Sequence, residues 1–378
     1  MTGAPSCHER SAHLDDLLRG MVDREASDLH VVAGRRPVYR VHGRLHTLDA
    51  EPLTPDAVRD MLTGLIPPRL RERLDHDEIK DMDFSTTVDH AGGSVRFRVN
   101  VFFAQGVMGG CFRLIPSEIP TLEWTHFPPE LANRITHERN GLVLLTGVAG
   151  SGKTTTLAVL VNMLNLAGHC RIITIEEPIE YVFPPSEDGV VTQREVGVDT
   201  DSFYNGLRSA LRQDPNVILV GEIRDRETAQ MALSAAETGH LIFATLHTRD
   251  AKGAITRIAD LFPRDSQEDI RTQLALSLRF VISQHLIPAA QPDERRQLAM
   301  EVLVVNPAVR SGIRFGKIES IDTALQTGRR DGMMTLDESL AQLVGAGRIA
   351  PDTAQQYAND PDSIARGASF AARRKDPS

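Results

Sequence analysis

The chain has 378 residues, of which 41% are hydrophobic and 25% charged, and this composition is typical of a globular protein with two or three domains. No apolar run approaches the roughly 20 residues that a membrane-spanning helix needs, and no secretory signal is recognisable, so we predict a cytoplasmic protein without direct membrane insertion. A net charge of −9 argues against a nucleic-acid partner, and three widely spaced cysteines argue against a disulfide framework or a cysteine zinc site.

Helix and strand patterns alternate through the first 116 residues. Apolar residues at helical spacing from Leu14 to Val22 predict an amphipathic helix, and Thr54 followed by Pro55 predicts the start of a second one. A third helix is predicted at Pro68–Asp75, and strands are predicted at Asp28–Val32, Val38–Gly43, Arg44–Leu48, Met82–Val88, Val95–Phe103 and Val107–Ile115. We therefore expect an α+β domain over residues 1–116 and a proline-containing linker at 117–122.

The next stretch, residues 123–368, is predicted to be an α/β domain. Its strand candidates are Leu142–Leu145, Arg171–Ile175, Val217–Val220 and Leu241–Leu246, each followed by a helical pattern. This alternation predicts a parallel sheet with helices on both faces. From about Pro263 onward the pattern is mostly helical, with one strand candidate at Met300–Val305, and the last residues, 369–378, are predicted to be a disordered tail.

A phosphate-binding loop lies between the first of these strands and its helix. Gly147–Thr154 reads G-x-x-x-x-G-K-T, in which glycines let backbone N–H groups close around phosphates. We expect Lys153 to reach the β- and γ-phosphates and Thr154 to ligate Mg²⁺, so that ATP with Mg²⁺ is the predicted substrate. The predicted nucleotide-binding residues are Gly147, Gly150, Ser151, Gly152, Lys153, Thr154 and Thr155. The alternative is a chance match in an ordinary glycine turn.

Carboxylates follow two of the other predicted strands. Glu222 comes after Val217–Val220 in a Walker B arrangement, where it would face Mg²⁺ or its water. Glu176, Glu177 and Glu180 end the strand that begins at Arg171, and the carboxyl edge of an α/β sheet is where ligands bind. They are placed to polarise water, although any one of them could be part of a solvated acidic turn.

The sequence leaves two possible roles open for a pair of histidines and for a pair of arginines. His240 and His247 bracket the strand Leu241–Leu246 without a third metal ligand at usable spacing, so each makes either a polar contact near the phosphate or a structural contact. Arg96 and Arg98 share one face of a strand, which suits either a charge clamp on the nucleotide or a solvated strand face.

Four sequence blocks together resemble the type II/IV secretion ATPase superfamily. They look like its Walker A, Asp box, Walker B and His box, and they are Gly147–Thr155, Ile173–Tyr181, Val217–Thr228 and Thr238–Thr248. Further stretches are similar to its PilT-like, twitching-motility branch: Ala26–His30, Arg40–Gly43, Arg96–Asn100, Val281–Gln284, Gln326–Gly328 and Gly332–Asp337.

The resemblance implies a fold, an assembly and a set of residue roles. It implies a PAS-like N-terminal domain, a RecA-like P-loop ATPase domain, and a homohexameric motor at the cytoplasmic base of a type IV pilus, next to an inner-membrane platform protein. Carried over by motif, Glu180 would activate water and Glu222 would be the Walker B acid. His240 and His247 would be His-box contacts, and Arg96, Arg98 and Arg113 would reach the nucleotide when the domains close.

The chain departs from the family pattern at a few positions. Glu177 replaces the usual aspartate, and Val148-Ala149 replaces the usual Pro-Thr of the loop. The stretch Ala308–Phe315 aligns with a motif on which retraction is thought to depend, with glycine at 312 in place of the motif's leucine and phenylalanine at 315 in place of its acid. Two alternatives therefore stay open: a pilus-extension or type II secretion ATPase, whose usual four-cysteine zinc module has no counterpart after Cys170, and a non-motor regulatory ATP-binding subunit.

Overall fold

The computed structural model describes residues 12–41, 44–75, 79–91, 93–116, 118–291, 294–362 and 364. Its contacts divide the chain into two compact units. The first comprises the described residues up to Glu118 together with Glu176–Val182 and Gln193–Ser202. The second comprises Ile119–Ile175, Phe183–Thr192 and the described residues from Phe203 onward. The predicted tail at 369–378 and Ser117 of the predicted linker lie outside the described residues.

The first unit is built on a six-stranded sheet with the order β3-β2-β1-β6-β5-β4. Its neighbouring strands all pair antiparallel. Its helices are α1 (Ala12–Asp23), α2 (Pro55–Thr63) and α3 (Pro68–Asp75), and its strands are β1 (Ala26–Val32), β2 (Val38–Val41), β3 (Arg44–Thr47), β4 (Met82–His90), β5 (Gly93–Ala104) and β6 (Val107–Leu114). The predicted elements are confirmed, except that residues 42 and 43 of the first hairpin arm lie outside the described residues.

Alternating side chains explain why these strands form one buried face. Phe97 and Val99 on β5 are fully buried, whereas the alternate residues Arg96 and Arg98 remain partly accessible. The predicted cap of α2 is also present, since the Thr54 side chain accepts a hydrogen bond from the Ala57 N–H at 3.2 Å. The sheet therefore carries both arginines on the same side of β5.

The second unit contains a seven-stranded sheet with the order β13-β12-β7-β11-β10-β8-β9. Its strands are β7 (Gly141–Thr146), β8 (Arg171–Glu176), β9 (Val190–Glu195), β10 (Val217–Val220), β11 (Leu241–Leu246), β12 (Leu278–Ile287) and β13 (Gln297–Val304). Its helices are α4 (Leu122–Thr125), α5 (Pro129–Thr136), α6 (Lys153–Ala167), α7 (Phe203–Ala210), α8 (Arg226–Glu237), α9 (Ala251–Asp260), α10 (Gln267–Ser277), α11 (Pro307–Arg314), α12 (Glu319–Thr327), α13 (Leu336–Gly345) and α14 (Pro351–Tyr357), with a 3₁₀ turn at Gly328–Asp331. Among the helices that the structure describes, none combines the length and the apolar character that crossing a bilayer requires.

Two strands of this sheet were not predicted, and the sheet is not wholly parallel. The stretch from Leu278 to Ile287 is β12 rather than helix, and it pairs parallel with β7 and antiparallel with β13. Because most of β12 is buried on both faces, its apolar residues show no strand alternation, and periodicity cannot distinguish such a run from a buried helix. β9 was missed for a different reason: its Thr-Gln-Arg-Glu ending has little apolar character.

Glycine at position 312 has a packing reason in this fold. Gly312 is buried in α11, and a Cβ built there would lie 2.6 Å from the Ser320 Oγ and 3.4 Å from the Lys317 carbonyl oxygen. The Ser320 hydroxyl is itself engaged, because it donates to the Lys317 carbonyl at 2.6 Å. The helix forms despite its glycine, and a side chain at position 312 would have to displace the Ser320 hydroxyl from its hydrogen bond.

Replacing Gly312 by leucine, the residue of the aligned family motif, is expected to destabilise the protein. The gain in helix propensity is about 1 kcal/mol, whereas overpacking a filled site costs roughly 1–3 kcal/mol, so the net loss should be about 1 kcal/mol. Thermal unfolding measures this, with Ser311→Leu as the control because Ser311 is the exposed neighbour in the same helix. A Gly312→Leu protein with a higher melting temperature than wild type would contradict the packing argument.

Candidate functional site

The phosphate-binding loop has the backbone conformation that only its glycines allow. Gly147, Gly150 and Gly152 have φ angles of 139°, 76° and 92°, in the region that L side chains rarely adopt. A Cβ at Gly147 would lie 2.5 Å from both the Gln284 carbonyl oxygen and the Ser151 Oγ. The loop therefore turns from β7 into α6 with no side chain at its tightest point.

Lys153 and its neighbours lie at the start of α6. The Lys153 side chain is buried, and its Nζ donates to the carbonyls of Gly147 at 2.8 Å and Val148 at 3.1 Å. Thr154 and Thr155 are half-buried on the first turn. The ammonium group thus lies against the loop that would surround a phosphate, at a helix N-terminus where an anion is stabilised.

The loop also contains a polar atom that suits a phosphate ligand. The Ser151 Oγ is buried and has no hydrogen-bond partner among the described residues. A buried hydroxyl without a partner costs free energy, which a phosphate oxygen could recover. This orphaned donor and the glycine cradle fit a nucleoside triphosphate, and the Thr154 hydroxyl and the Glu222 carboxylate are oxygen donors of the kind that Mg²⁺ prefers.

Strand β12 supports the loop through two buried polar side chains that the sequence interpretation did not assign to the site. Thr146 at the end of β7 donates to the Ser283 Oγ at 2.7 Å, and the Gln284 amide donates to the Thr156 Oγ1 on α6 at 2.8 Å. Both β12 residues are fully buried. They lie in the block Val281–Gln284, which carried the family resemblance but was not recognised as a strand.

The carboxylate of Glu222, which follows β10, contacts the side chains of an arginine and a histidine. The Arg224 Nε donates to the Glu222 Oε2 at 2.7 Å, and the His247 Nε2 lies 3.3 Å from the Glu222 Oε1. β10 and β11 are parallel neighbours, so their carboxyl ends bring Glu222 and His247 to the same edge of the sheet. Glu222 and His247, which the sequence interpretation took from two separate blocks, are therefore in direct contact.

His240 lies at the other end of β11. It precedes Leu241, and its Nδ1 lies 3.0 Å from the Ala235 carbonyl oxygen near the end of α8. Six residues of strand, roughly 20 Å at 3.3 Å per residue, separate it from His247. The structure thus places His247 alone of the pair at the carboxyl edge, and a catalytic role for His240 rests on the family resemblance only.

The remaining candidates belong to the first unit, where each arginine has a carboxylate partner. The Arg98 Nη1 lies 3.6 Å from the Glu180 Oε1. The Arg113 Nε donates at 2.9 Å to Asp28, which is buried on β1. Arg96 pairs with a carboxylate on β9 that the sequence interpretation did not single out. Of the two arginines for which a solvated strand face was the alternative, Arg96 has a buried partner, whereas Arg98 pairs with a partly exposed carboxylate.

A buried carboxyl group holds the segment that follows His247. The Ala251 N–H, at the start of α9, donates to the Glu301 Oε1 at 2.8 Å. Burial raises the pKa of Glu301 to about 7, and the nearby carboxylates of Asp250, Asp322 and Asp337 add to the rise, while the Ala251 hydrogen bond opposes it. The Glu301 carboxyl therefore titrates in the physiological range.

The raised pKa of Glu301 predicts a pH-dependent stability. Because the folded state binds this proton more tightly than the unfolded state does, the free energy of unfolding should fall as pH rises from about 4.5 to about 7. Glu301→Gln removes this term, so the variant should gain on the order of 3 kcal/mol relative to wild type between pH 5 and pH 8, at 1.36 kcal/mol per pKa unit. Denaturant unfolding across that range measures the difference, with exposed Glu268→Gln as the control. A difference that stays constant with pH would contradict this prediction.

Comparison with known proteins identifies the family. The family model described as type II/IV secretion system protein matches residues 9–368. The chain belongs to this family. Among curated relatives, it is 42% identical to the type IV pilus retractation ATPase PilT of Pseudomonas aeruginosa over 351 residues, which cover 93% of this chain and 99% of the relative. It is 41% identical to the twitching motility protein of Neisseria gonorrhoeae over 348 residues, which cover 92% and 91% of the two chains.

A solved structure of a type II/IV secretion system family member agrees with this fold. The crystal structure of the pilus retraction motor PilT with bound ADP matches with a TM-score of 0.83 at 38% identity, covering 93% of this chain and 99% of that one. The α/β fold of a P-loop ATPase, which the strand–loop–helix pattern predicted, is thereby confirmed. The family assignment from the four sequence blocks is confirmed as well.

Proposed function

We propose that this chain is an ATP-hydrolysing motor that drives retraction of type IV pili. The observation that carries the proposal is its 42% identity to a pilus retraction ATPase over almost the whole length of both chains. The formed phosphate loop, with Lys153 against its carbonyls, and the Glu222–His247 contact supply the parts that nucleotide hydrolysis needs.

In this proposal each group of the site has one task. The loop amides and Lys153 bind the β- and γ-phosphates of ATP and stabilise the charge that develops on them. Thr154 and Glu222 would hold Mg²⁺, which would supply positive charge to the phosphates. Glu180 accepts a proton from the attacking water, and His247 orients Glu222 through the observed contact. Positive charge at the γ-phosphate also comes from Arg96, Arg98 and Arg113. His240 is assigned the His-box contact that the family resemblance implies.

The assembly and the domain division are also part of the proposal. We propose a PAS-like domain at 1–116, a linker at 117–122, a RecA-like ATPase domain at 123–368 and a tail at 369–378. The motor works as a homohexamer on the cytoplasmic side of the inner membrane, against a platform protein of the pilus base. Family membership and the similarity to PilT support this arrangement.

Two other functions remain as competitors within the same family. A pilus-extension or secretion ATPase is less well supported, because the chain has no cysteine after Cys170 to build a zinc module and is less similar to such relatives, with 35% identity to the type II secretion system protein E of Aeromonas hydrophila. The altered stretch at 308–315 is the reason for the second alternative, a regulatory ATP-binding subunit.

Pilus retraction in living cells tests the proposal. Retraction should be lost in cells without the protein and equally in cells that carry Lys153→Ala, while Lys252→Ala should retract normally, because Lys252 lies on α9 and pairs with Asp322. Loss on deletion combined with normal retraction in the Lys153→Ala cells would favour the regulatory function. Normal retraction in both, with loss of pilus assembly, would favour extension.

A further inference from the structure

A buried carboxylate in the first unit joins three separate segments of the chain. The side chain of Glu195, at the end of β9, is only 3% exposed. Its Oε1 accepts from the Ser85 N–H at 2.9 Å, and its Oε2 accepts from the Ser85 hydroxyl at 2.5 Å, the Arg96 Nη2 at 2.8 Å and the Ile179 N–H at 3.2 Å. One carboxylate thus connects β4, β5 and the segment Glu176–Val182, which contains Glu180.

The number of hydrogen-bond donors around the Glu195 carboxylate distinguishes it from an isolated surface ion pair. A buried charge is costly unless it is paired and hydrogen-bonded, and four donor contacts meet that need here. The backbone of Glu195 is also held, because its N–H donates to the Asp199 carboxylate at 2.8 Å. Both ends of the residue are therefore fixed.

The Arg96 guanidinium is held at one edge and remains accessible at another. Its contacts with Glu195 and Ser85 both use Nη2, while its Nε has no hydrogen-bond partner among the described residues. The Arg96–Glu195 pair also borders a cavity of about 430 Å³. The unpartnered Nε is buried, but the Arg96 side chain as a whole is 23% exposed, so the guanidinium is fixed through Nη2 without being wholly enclosed.

The same carboxylate also contacts the residue that precedes Glu180. Two adjacent residues of the segment make these contacts: the Ile179 N–H donates to Glu195 on β9, and Glu180 pairs with Arg98 on β5. The Arg98–Glu180 pair is partly exposed on both sides at 3.6 Å, and such pairs contribute only about 0–1 kcal/mol. Of these two contacts, the buried one with Glu195 is therefore the stronger, and Glu195 in turn contacts Arg96 on β5.

We propose that Glu195 is a positioning residue for ATP hydrolysis, which sets the place of the Arg96 guanidinium and of the Glu180 carboxylate relative to each other. This inference rests on the proposed function, in which these two groups act on the γ-phosphate and on the attacking water. A misplacement of about 1 Å costs on the order of 10²-fold in rate, so a residue that holds two reacting groups at once controls kcat without touching the nucleotide.

Steady-state kinetics of the full chain test this role with two substitutions. Glu195→Ala should lower kcat by about 10²-fold. Glu195→Gln should lower it by only about 10-fold, because glutamine keeps an oxygen that accepts hydrogen bonds from the backbone N–H groups but lacks the negative charge that neutralises the Arg96 guanidinium. KM for ATP and the affinity for a fluorescent ADP analogue should change by less than about twofold, since neither group belongs to the phosphate loop. The matched control is Asp201→Asn, on the stretch Gln193–Ser202 that also contains Glu195, which removes an exposed ion pair with Arg69.

A double mutant separates positioning from loss of folded protein. Each kcat is divided by the number of nucleotide-binding sites measured in the same sample, so that unfolded molecules do not count. Arg96→Ala should lower kcat without removing nucleotide binding. Glu195→Ala combined with Arg96→Ala should be little slower than the slower of the two single variants, because both changes remove the same arrangement.

The outcomes distinguish this inference from the proposed function. Wild-type protein that does not hydrolyse ATP would overturn the proposed function, and the inference with it. If the wild-type protein hydrolyses ATP and both Glu195 variants have the same kcat as wild type, the inference is overturned and the proposed function is not. A rise in kcat would also overturn it, because it would mean that Glu195 competes with the nucleotide for Arg96 instead of positioning it.

Discussion

Lys153→Ala is expected to reduce ATP turnover by at least about 10²-fold while the chain stays folded. Removing a preorganised positive group from the developing charge of a reaction costs about 10²–10³-fold in rate. The Lys153 Nζ also bridges the loop carbonyls of Gly147 and Val148, so nucleotide affinity should fall along with turnover. Phosphate release and titration with a fluorescent ATP analogue measure the two effects.

The control for Lys153→Ala is Lys252→Ala. Lys252 is also on a helix of the second unit, but its partner is the exposed carboxylate of Asp322 at 2.9 Å. Circular dichroism and thermal unfolding of both variants check that the fold is retained. Hydrolysis at the wild-type rate by Lys153→Ala would remove the nucleotide-site assignment, and with it the proposed motor.

Glu222→Gln is expected to abolish hydrolysis and to leave nucleotide binding nearly intact. Glutamine keeps the size of the side chain and can still meet His247 and Arg224, but it lacks the negative charge that holds a divalent cation. We expect kcat to fall by about 10²–10³-fold, which is the cost of losing one electrostatic contribution to the transition state. Turnover measured across a range of Mg²⁺ concentrations separates weaker metal binding from a slower chemical step.

Glu227→Gln is the matched control for this variant. Glu227 lies on the first turn of α8, five residues after Glu222, and is exposed. Its substitution should leave kcat and KM unchanged. If Glu222→Gln hydrolysed ATP like wild type at low Mg²⁺, Glu222 would not be the Walker B acid, and another carboxylate at the carboxyl edge would have to take that role.

Local sequence patterns were enough to predict most of the nucleotide-binding loop. The loop depends on glycines whose φ angles are positive, on a lysine at the first helical position and on a buried strand before it, and these all lie within about a dozen adjacent residues. The strand ending before Glu222 was predicted for the same reason, because β10 is a short, fully apolar run.

Sheet neighbours and partners far apart in sequence could not be predicted in this way. β12 has no alternation to mark it as a strand, yet it is the neighbour of β7 and brings Gln284 to α6. The contact between Glu195 and Arg96 joins residues 99 positions apart, and nothing in the local pattern around Glu195 distinguishes it from an exposed glutamate. The close approach at Gly312 likewise depends on how the start of α12 folds back.

The sequence by itself determined the family, the P-loop ATPase fold and the residues of the phosphate loop, because phosphate binding is achieved by a short, contiguous stretch of backbone. Only the tertiary structure decided that His247 meets Glu222 while His240 lies at the opposite end of β11, and that Glu195 holds Arg96 and the segment of Glu180. These contacts depend on strand order and on which side chains are buried together, and both follow from the packing of the whole chain rather than from any local pattern.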